Sequence, residues 1–164
     1  MAQQKIDGTQ IGAIGAWKGG TLVHRAVAQL IPNNVTTIIS WDVEDYDTAG
    51  IHSVSTPSRL TVPAGVSKVR LSFRVVWWNN SSGTFRSVSL TKNGSAGNIG
   101  TSVFQSPPNV SSLNNVSDGE TTPVLIVTPG DYFEISVGQD SGASLNVINA
   151  SIGIDSWFGM EIVE

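Results

Sequence analysis

A cluster of acidic residues is the first feature of the sequence that could do chemistry. Four carboxylates lie within six positions, with His52 shortly after them: Asp42, Glu44, Asp45 and Asp47. Carboxylate oxygens are the ligands that Ca²⁺ prefers, and an imidazole close to carboxylates suits a zinc site or acid–base catalysis. The segment is therefore a metal site, a catalytic acid pair or a solvated loop.

The spacing of these residues favours the solvated loop. A calcium loop needs acidic residues at alternate positions, a glycine and a terminal Glu, which this segment lacks. The chain has two histidines, His24 and His52, and no cysteine, so zinc has little support. A glycosidase needs two carboxyls held across a cleft, and a compact sandwich with short loops offers little cleft.

We expect the carboxylates to lie on a connector. Trp41 is expected to end a strand whose inward residues are Val35, Thr37 and Ile39, so that Asp42 begins the loop. Tyr46 and Ile51 would then hold an acidic turn against the fold. Calcium bound by the four carboxylates stays as the weaker alternative, and the sequence indicates no catalytic residue and no cofactor.

The composition excludes several classes of partner. The 164 residues suffice for one domain, charged residues are 13% and the net charge is −4, with no runs of Lys or Arg. A nucleic-acid partner is not expected. No apolar stretch is long enough to span a membrane, and the N-terminus has no signal peptide. The sequence also lacks a phosphate-binding loop and a nucleophile elbow, so we do not expect an enzyme.

The clearest periodic pattern is an alternation of apolar and polar residues over positions 68–77. Its apolar members are Val69, Leu71, Phe73, Val75 and Trp77. Alternation with a period of two predicts a strand with one buried face. After turn residues at 79–83, the pattern resumes over 86–92 and meets an Asn93-Gly94 turn signal. We expect these two segments to form a hairpin.

The second half of the chain repeats this organisation. An apolar run at 124–127, a turn at 129–131 and an alternating strand at 133–137 predict another hairpin. The apolar residues change phase between 145 and 154, which predicts a bulge, and a last strand closes the chain. Since no helical pattern appears beyond a weak one at 22–30, we expect an all-β jelly-roll sandwich of about eight to ten antiparallel strands.

Some apolar residues point away from the expected core. Val76 and Trp78 lie on the opposite face from Trp77, and Trp157 and Phe158 lie near the C-terminus. Outward apolar residues on a sheet are typical of a subunit interface. These four residues are our candidates for that interface.

The first 21 residues differ from the rest and are interpreted as an extended arm, with the head domain at 22–164. The arm is rich in glycine and has no alternation, but it carries four almost evenly spaced apolar residues: Ile6, Ile11, Ile14 and Trp17. A segment that cannot bury such groups in its own domain can become ordered on a partner. We therefore expect the arm to fasten the protein to a larger assembly.

Four segments in order resemble the globular head domain of complement C1q and its tumour-necrosis-factor-like relatives. They are "SRLTVPAGVSKVRLSFRVVW", "VSLTKNGS", "GDYFEISV" and "SWFGMEIV". The segment "LIPNNVTTIISWDVEDYDTAGIHSVSTPSRLTVP" is similar to the version of this domain found in bacteriophage virion proteins, typically tail fibres and spikes. The resemblance covers the chain from about residue 22 to its end.

The resemblance implies a homotrimeric jelly-roll head in a phage virion, made in the host cytoplasm. It implies contact with a host-surface glycan or protein, while the arm would bind other virion proteins. Fold alone does not establish such a role. A decoration or adaptor protein of the capsid or tail that binds no receptor is the alternative, and a carbohydrate-active enzyme is a remote third.

Overall fold

The computed structural model describes residues 17–96, 104–106, 116–147 and 156–164. These residues form an all-β domain with no helix, so nothing among them has the helical length and apolarity needed to cross a membrane. The strands are β1 Gly20–His24, β2 Gln29–Ile31, β3 Thr37–Ile38, β4 Val43–Asp47, β5 Leu60–Thr61, β6 Lys68–Trp77, β7 Arg86–Lys92, β8 Ser95–Ala96, β9 Phe104–Ser106, β10 Val116–Thr121, β11 Leu125–Ile126, β12 Tyr132–Gln139, β13 Leu145–Val147 and β14 Trp157–Ile162.

The strands form two antiparallel sheets. The first sheet has the order β2-β13-β6-β14-β1-β4, with β10 and β11 also paired to β6. The second has the order β3-β12-β7-β8, with β5 paired to β12 and β9 paired to β7. The described residues contain more strands than the eight to ten that the sequence predicted, because several elements are two- or three-residue pieces of one longer strand.

The register shows how these pieces join in the first sheet. Val116 of β10 and Val147 of β13 both pair with Trp77 and so lie on opposite sides of β6. Strand β13 therefore continues the line of β14, and β2 continues the line of β1 in the same way. The first sheet thus has five strand positions across it, namely β4, β1 with β2, β14 with β13, β6, and β10 with β11.

The core lies between the two sheets and is formed by the inward-facing apolar residues of each long strand. Its largest fully buried apolar side chains include Trp41, Phe73, Trp77, Phe133 and Phe158. The Trp41 and Phe158 rings pack with their centroids 5.9 Å apart. Burying large aromatic and branched side chains supplies most of the hydrophobic stabilisation of a sandwich. The alternation seen over 68–77 is confirmed, because its five apolar residues are all buried.

The two hairpins predicted from the sequence do not form, so both predictions are wrong. Strand β6 lies in the first sheet and β7 in the second, so the chain crosses between sheets where a hairpin was expected. Likewise β11 pairs with β6, whereas β12 pairs with β7, β3 and β5. In a jelly roll most connections pass from one sheet to the other, and alternation alone does not tell in which sheet a strand lies.

The Asn93-Gly94 turn is confirmed. Asn93 and Gly94 have φ angles of 53° and 75°, and the turn joins β7 to β8 through the pair Lys92 and Ser95. Positive φ at both central positions defines the hairpin turn that Asn-Gly favours. A local turn signal was therefore sufficient here, because the partner strand follows at once.

Candidate assembly surface and acidic segment

The acidic segment is a strand, which corrects the expected connector. Residues 43–47 form β4 and pair with β1, with His24 opposite Val43 and Leu22 opposite Tyr46. The register shifts by one residue between these pairs, which leaves Asp45 without a partner position and marks a β-bulge. Because β4 lies at the edge of the sheet and has only one neighbour there, it tolerates exposed charges that an inner strand would not.

The carboxylates of Asp42 and Asp47 accept hydrogen bonds from backbone amides of adjoining segments. Asp42 accepts hydrogen bonds from the amides of Ala26 and Val27 at 2.7 and 3.1 Å. Asp47 accepts hydrogen bonds from the amides of Ala49 and His52 at 3.0 and 2.8 Å. Partial burial alone would raise the pKa of Asp47, but these amide hydrogen bonds outweigh it and the pKa lies below its ordinary value.

Glu44 and Asp45 each pair with one histidine. Asp45 Oδ2 lies 2.9 Å from His24 Nδ1, and Glu44 Oε2 lies 3.2 Å from His52 Nδ1. No three His, Asp or Glu side chains within the described ranges are grouped so that they could hold a metal ion. The structure therefore brings the four calcium candidates onto one short segment but not into one ligand set.

Ile39, Trp41 and Ile51 are buried as expected, whereas two other residues differ from the expectation. Val35 was expected to point inward and is 48% exposed. Tyr46 was expected to hold the segment to the sandwich, but it is 43% exposed and its ring contacts Trp17 edge-on at 5.9 Å. The acidic strand is thus fixed by its pairing with β1 and by Ile51.

The first sheet has an outer face, of which sequence reasoning had indicated Trp157 but not the continuous rows across the strands. We call the outward side chains of β4, β1, β14, β6 and β10 the outer face. Directly paired residues share a face, so its rows across the sheet are Val43, His24, Trp157, Arg74 and Gly119, then Tyr46, Leu22, Gly159, Ser72 and Thr121. The missing side chains at the two glycines leave shallow hollows.

Trp157 stands between two hollows of the face, one of which is lined by Gly119. On one side lies a hollow of about 290 Å³ formed with Leu22, His24 and Asp45. On the other lies a broader hollow of about 460 Å³, formed with Arg74, Ser117, Gly119 and other residues of β10. A half-buried tryptophan flanked by open space on a sheet surface is well placed for contact with another molecule.

The structure separates the four candidate interface residues into two pairs. Trp78 is 52% exposed and Trp157 is half-buried on the outer face. Phe158 and Val76 are fully buried within the chain, which is a correction. Phe158 packs in the core against Trp41, and the Val76 amide donates to Ser156 Oγ, so neither can add area to a subunit interface.

Three of the four candidate anchor residues lie before the first described residue, and the fourth, Trp17, is that residue. Ile6, Ile11 and Ile14 lie outside the described residues, while Trp17 is 58% exposed against Tyr46. The first strand begins at Gly20, before the boundary drawn at residue 22. Residues 148–155, where the bulge was expected, also lie outside the described part.

Leu22, Tyr46 and Arg74 are the outer-face residues that sequence reasoning missed as candidates. Arg74 was seen as part of the polar parity of its strand, but nothing marked that parity as a continuous face. The signal that could have found the face is the parity of β14, where Trp157, Gly159 and Glu161 alternate with core residues. An aromatic residue on the outward parity of a strand is the feature to look for.

Comparison with solved structures identifies the fold. By sequence, no protein-family profile and no curated protein matches the chain. By structure, it is similar to the globular domain of the zebrafish complement 1qA protein, with a TM-score of 0.59, 12% identity, and coverage of 90% of this chain and 98% of that one. The chain has a C1q-like jelly-roll fold.

Two further structures share this fold. Murine APRIL at pH 5.0 has a TM-score of 0.55 and 12% identity, covering 88% of this chain and 99% of that chain. The PRD1 vertex protein has a TM-score of 0.55 and 16% identity, covering 92% of this chain and 100% of that chain. The all-β jelly-roll fold inferred from the four sequence segments is therefore confirmed.

Proposed function

We propose that this chain is a structural protein of a bacteriophage virion, the trimeric head of a spike or fibre that contacts the host surface. The observation that carries the proposal is the likeness to the PRD1 vertex protein over the whole length of that chain. The sequence of residues 30–63, which resembles the phage version of this domain, supports the same setting. The complement and APRIL likenesses support a recognition or structural role more than catalysis.

The outer face supports self-association. It carries Leu22, Tyr46 and Trp157 beside two positions without side chains, Gly119 and Gly159, and no described loop fills the hollows beside Trp157. Apolar and aromatic residues surrounded by polar groups are typical of subunit interfaces. A trimer built through this face would bury Trp157 near its centre.

The arm supports attachment to the virion. Trp17 contacts Tyr46 at the edge of the outer face, so the chain enters the head beside the proposed subunit interface. The three isoleucines before it would bind another virion protein. We propose that this arm fastens the head to the particle.

A hollow away from the outer face is our candidate for host contact. It has a volume of about 310 Å³ and is lined by Asp42, Glu44, His52, Val54 and Pro57 together with Ser40 and Trp41. Val54 is 90% exposed. An apolar wall combined with a few carboxylate and hydroxyl groups suits a sugar ring, which has one apolar face and several donors.

The experiment measures assembly and adsorption with the purified full chain. Light scattering at micromolar concentration is expected to give a trimer, and the labelled protein is expected to bind host cells and compete with phage adsorption. Val54→Asp should then reduce cell binding without changing the trimer. A stable monomer would contradict the trimeric head.

One outcome distinguishes the alternative. A trimer that incorporates into particles but neither binds cells nor competes for adsorption would indicate a decoration or adaptor protein of the capsid or tail. Release of sugar from host polysaccharide would instead revive a carbohydrate-active enzyme.

A further inference from the structure

The two flanks of the outer face differ in charge. On the β4 flank, the Asp45 side chain is 40% exposed, and only its Oδ2 has a partner among the described residues, His24. On the β6 flank, Arg74 donates from Nε to Ser117 Oγ at 2.9 Å. One flank therefore presents a carboxylate and the other a guanidinium.

Arg74 differs from the other described arginines because it has no carboxylate partner in the described chain. Arg25, Arg59, Arg70 and Arg86 each lie within 4.0 Å of an Asp or Glu oxygen. Glu120 lines the same hollow as Arg74 and its Oε2 is buried without a hydrogen-bond partner, but no ion pair within 4.0 Å joins the two side chains. A guanidinium is suited to bind a carboxylate in a planar, bidentate arrangement.

Asp45 and Arg74 cannot meet within one chain, but they lie at the same height on the face. His24 pairs with Trp157, and Trp157 pairs with Arg74, so one row joins the Asp45–His24 pair to Arg74. Three strand spacings, or about 14 Å, separate the backbones of β4, which carries Asp45, and β6, which carries Arg74. A threefold contact joins two different patches of the same surface, so one copy's β4 flank would meet the next copy's β6 flank.

We propose that Arg74 of each copy binds Asp45 of the next copy around the trimer, with Trp157 packed beside this ion pair. The inference rests on the proposed trimer and names the contact that sets its register. Complementary charges across an interface fix register and partner orientation more than they add affinity.

The test is a charge swap in the full chain. Arg74→Glu and Asp45→Arg are each expected to raise the concentration at which half of the trimer dissociates by about tenfold or more, and the double variant is expected to restore association. Arg74→Lys, which keeps the charge, should keep the trimer. Analytical ultracentrifugation over a concentration series measures this, with circular dichroism and melting temperature showing that every variant folds.

The outcomes separate this inference from the proposed function. A monomeric native chain would contradict both the trimer and the ion pair. A native trimer that is unaffected by Arg74→Glu would overturn the ion pair and leave the trimer standing. Single variants that weaken the trimer without restoration in the double variant would also overturn it, because Asp45→Arg would then act only by breaking the pair with His24 inside the chain.

Discussion

Asp140 closes the loop that precedes strand β7. Its carboxylate accepts hydrogen bonds from the Thr84 hydroxyl and amide and from the Phe85 amide, at 2.6 to 2.9 Å. The Thr84 hydroxyl and these amides lower the pKa of Asp140 to about 2, with a further contribution from Arg86. Gly83 is needed at this point, because its φ of 87° and the close approach of Asp140 leave no room for a side chain.

This carboxylate gives a prediction for acid stability. Because the pKa of Asp140 in the folded chain is below its ordinary value of 3.8, its contribution is present above pH 3.8 and is lost as the pH falls towards 2. Asp140→Asn should therefore lower the melting temperature at pH 6 but have much less effect at pH 2. Thermal denaturation of both proteins from pH 2 to 6 measures it.

A second carboxylate, Asp131, serves as a comparison for the effect assigned to Asp140. The pKa of Asp131 also lies at about 2: burial would raise it, but hydrogen bonds from Lys92, Asn93 and the Thr128 amide outweigh burial. Asp131 therefore titrates in the same window, and the native melting curve should keep some acid dependence in Asp140→Asn. If the difference in melting temperature between the native chain and Asp140→Asn were the same at every pH, the role of the ionised Asp140 carboxylate in stability would be contradicted.

Asp45 and Asp47 are both aspartates of strand β4, but their carboxylates have different partners. Asp47→Ala removes the acceptor of two backbone amides, which should cost about 1 kcal/mol or more of the free energy of unfolding. Asp45→Ala should leave the stability of the head nearly unchanged at concentrations where the trimer has dissociated, since an exposed ion pair contributes little. Chemical denaturation measures both, with and without calcium. A calcium-dependent rise in stability that disappears in these variants would show a ligand set that forms only with the ion.

At the scale of elements, strand β14 places two neighbouring aromatic residues on opposite faces. Phe158→Ala should destabilise the head by about 3–5 kcal/mol, because it empties a core position against Trp41. Trp157→Ser should leave the fold intact and weaken association. Denaturation and ultracentrifugation of the two variants separate these effects. The folded fraction of Trp157→Ser could instead associate as strongly as the native chain, with the variant only less stable. That result would show that the outer face is not the interface.

The sequence predicted several features that depend on neighbouring residues. The buried parity of β6, the Asn93-Gly94 turn and the closing strand were all found, because alternation and turn chemistry are local. The expected hairpin of β6 with β7 failed, because alternation is the same in either sheet. Val76 was expected on the surface from its parity, yet it is fully buried. Burial on the outward parity depends on parts of the chain distant in sequence.

The acidic strand β4 shows the same limit at the edge of a sheet. Its carboxylates predicted a loop, since acidic residues are disfavoured inside strands. An edge strand is hydrogen-bonded on one side and exposed along much of its length, and β4 shows this pattern with Glu44, Asp45 and Tyr46 exposed. The site residues Asp45 and Arg74 could be chosen only after the register had placed them in one row.

At the scale of the whole molecule, the first strand of the described sandwich begins at Gly20. Gly19 O accepts from the Ile162 amide, and the Gly20 amide donates to Thr48 Oγ1 at 2.8 Å. The proposed anchor residues Ile6, Ile11 and Ile14 precede this strand in the sequence. This division makes the proposed roles of arm and head separable by experiment.

The last prediction tests that separation by deleting residues 2–16, which keeps Trp17 and its contact with Tyr46. The truncated chain should fold with an unchanged melting temperature and form the same oligomer, because β1 and the outer face are intact. It should still bind host cells but should no longer be incorporated into phage particles when it replaces the full chain during infection. Incorporation at the native level would contradict the anchoring role of Ile6, Ile11 and Ile14, and a loss of folding would show that the arm is an integral part of the head.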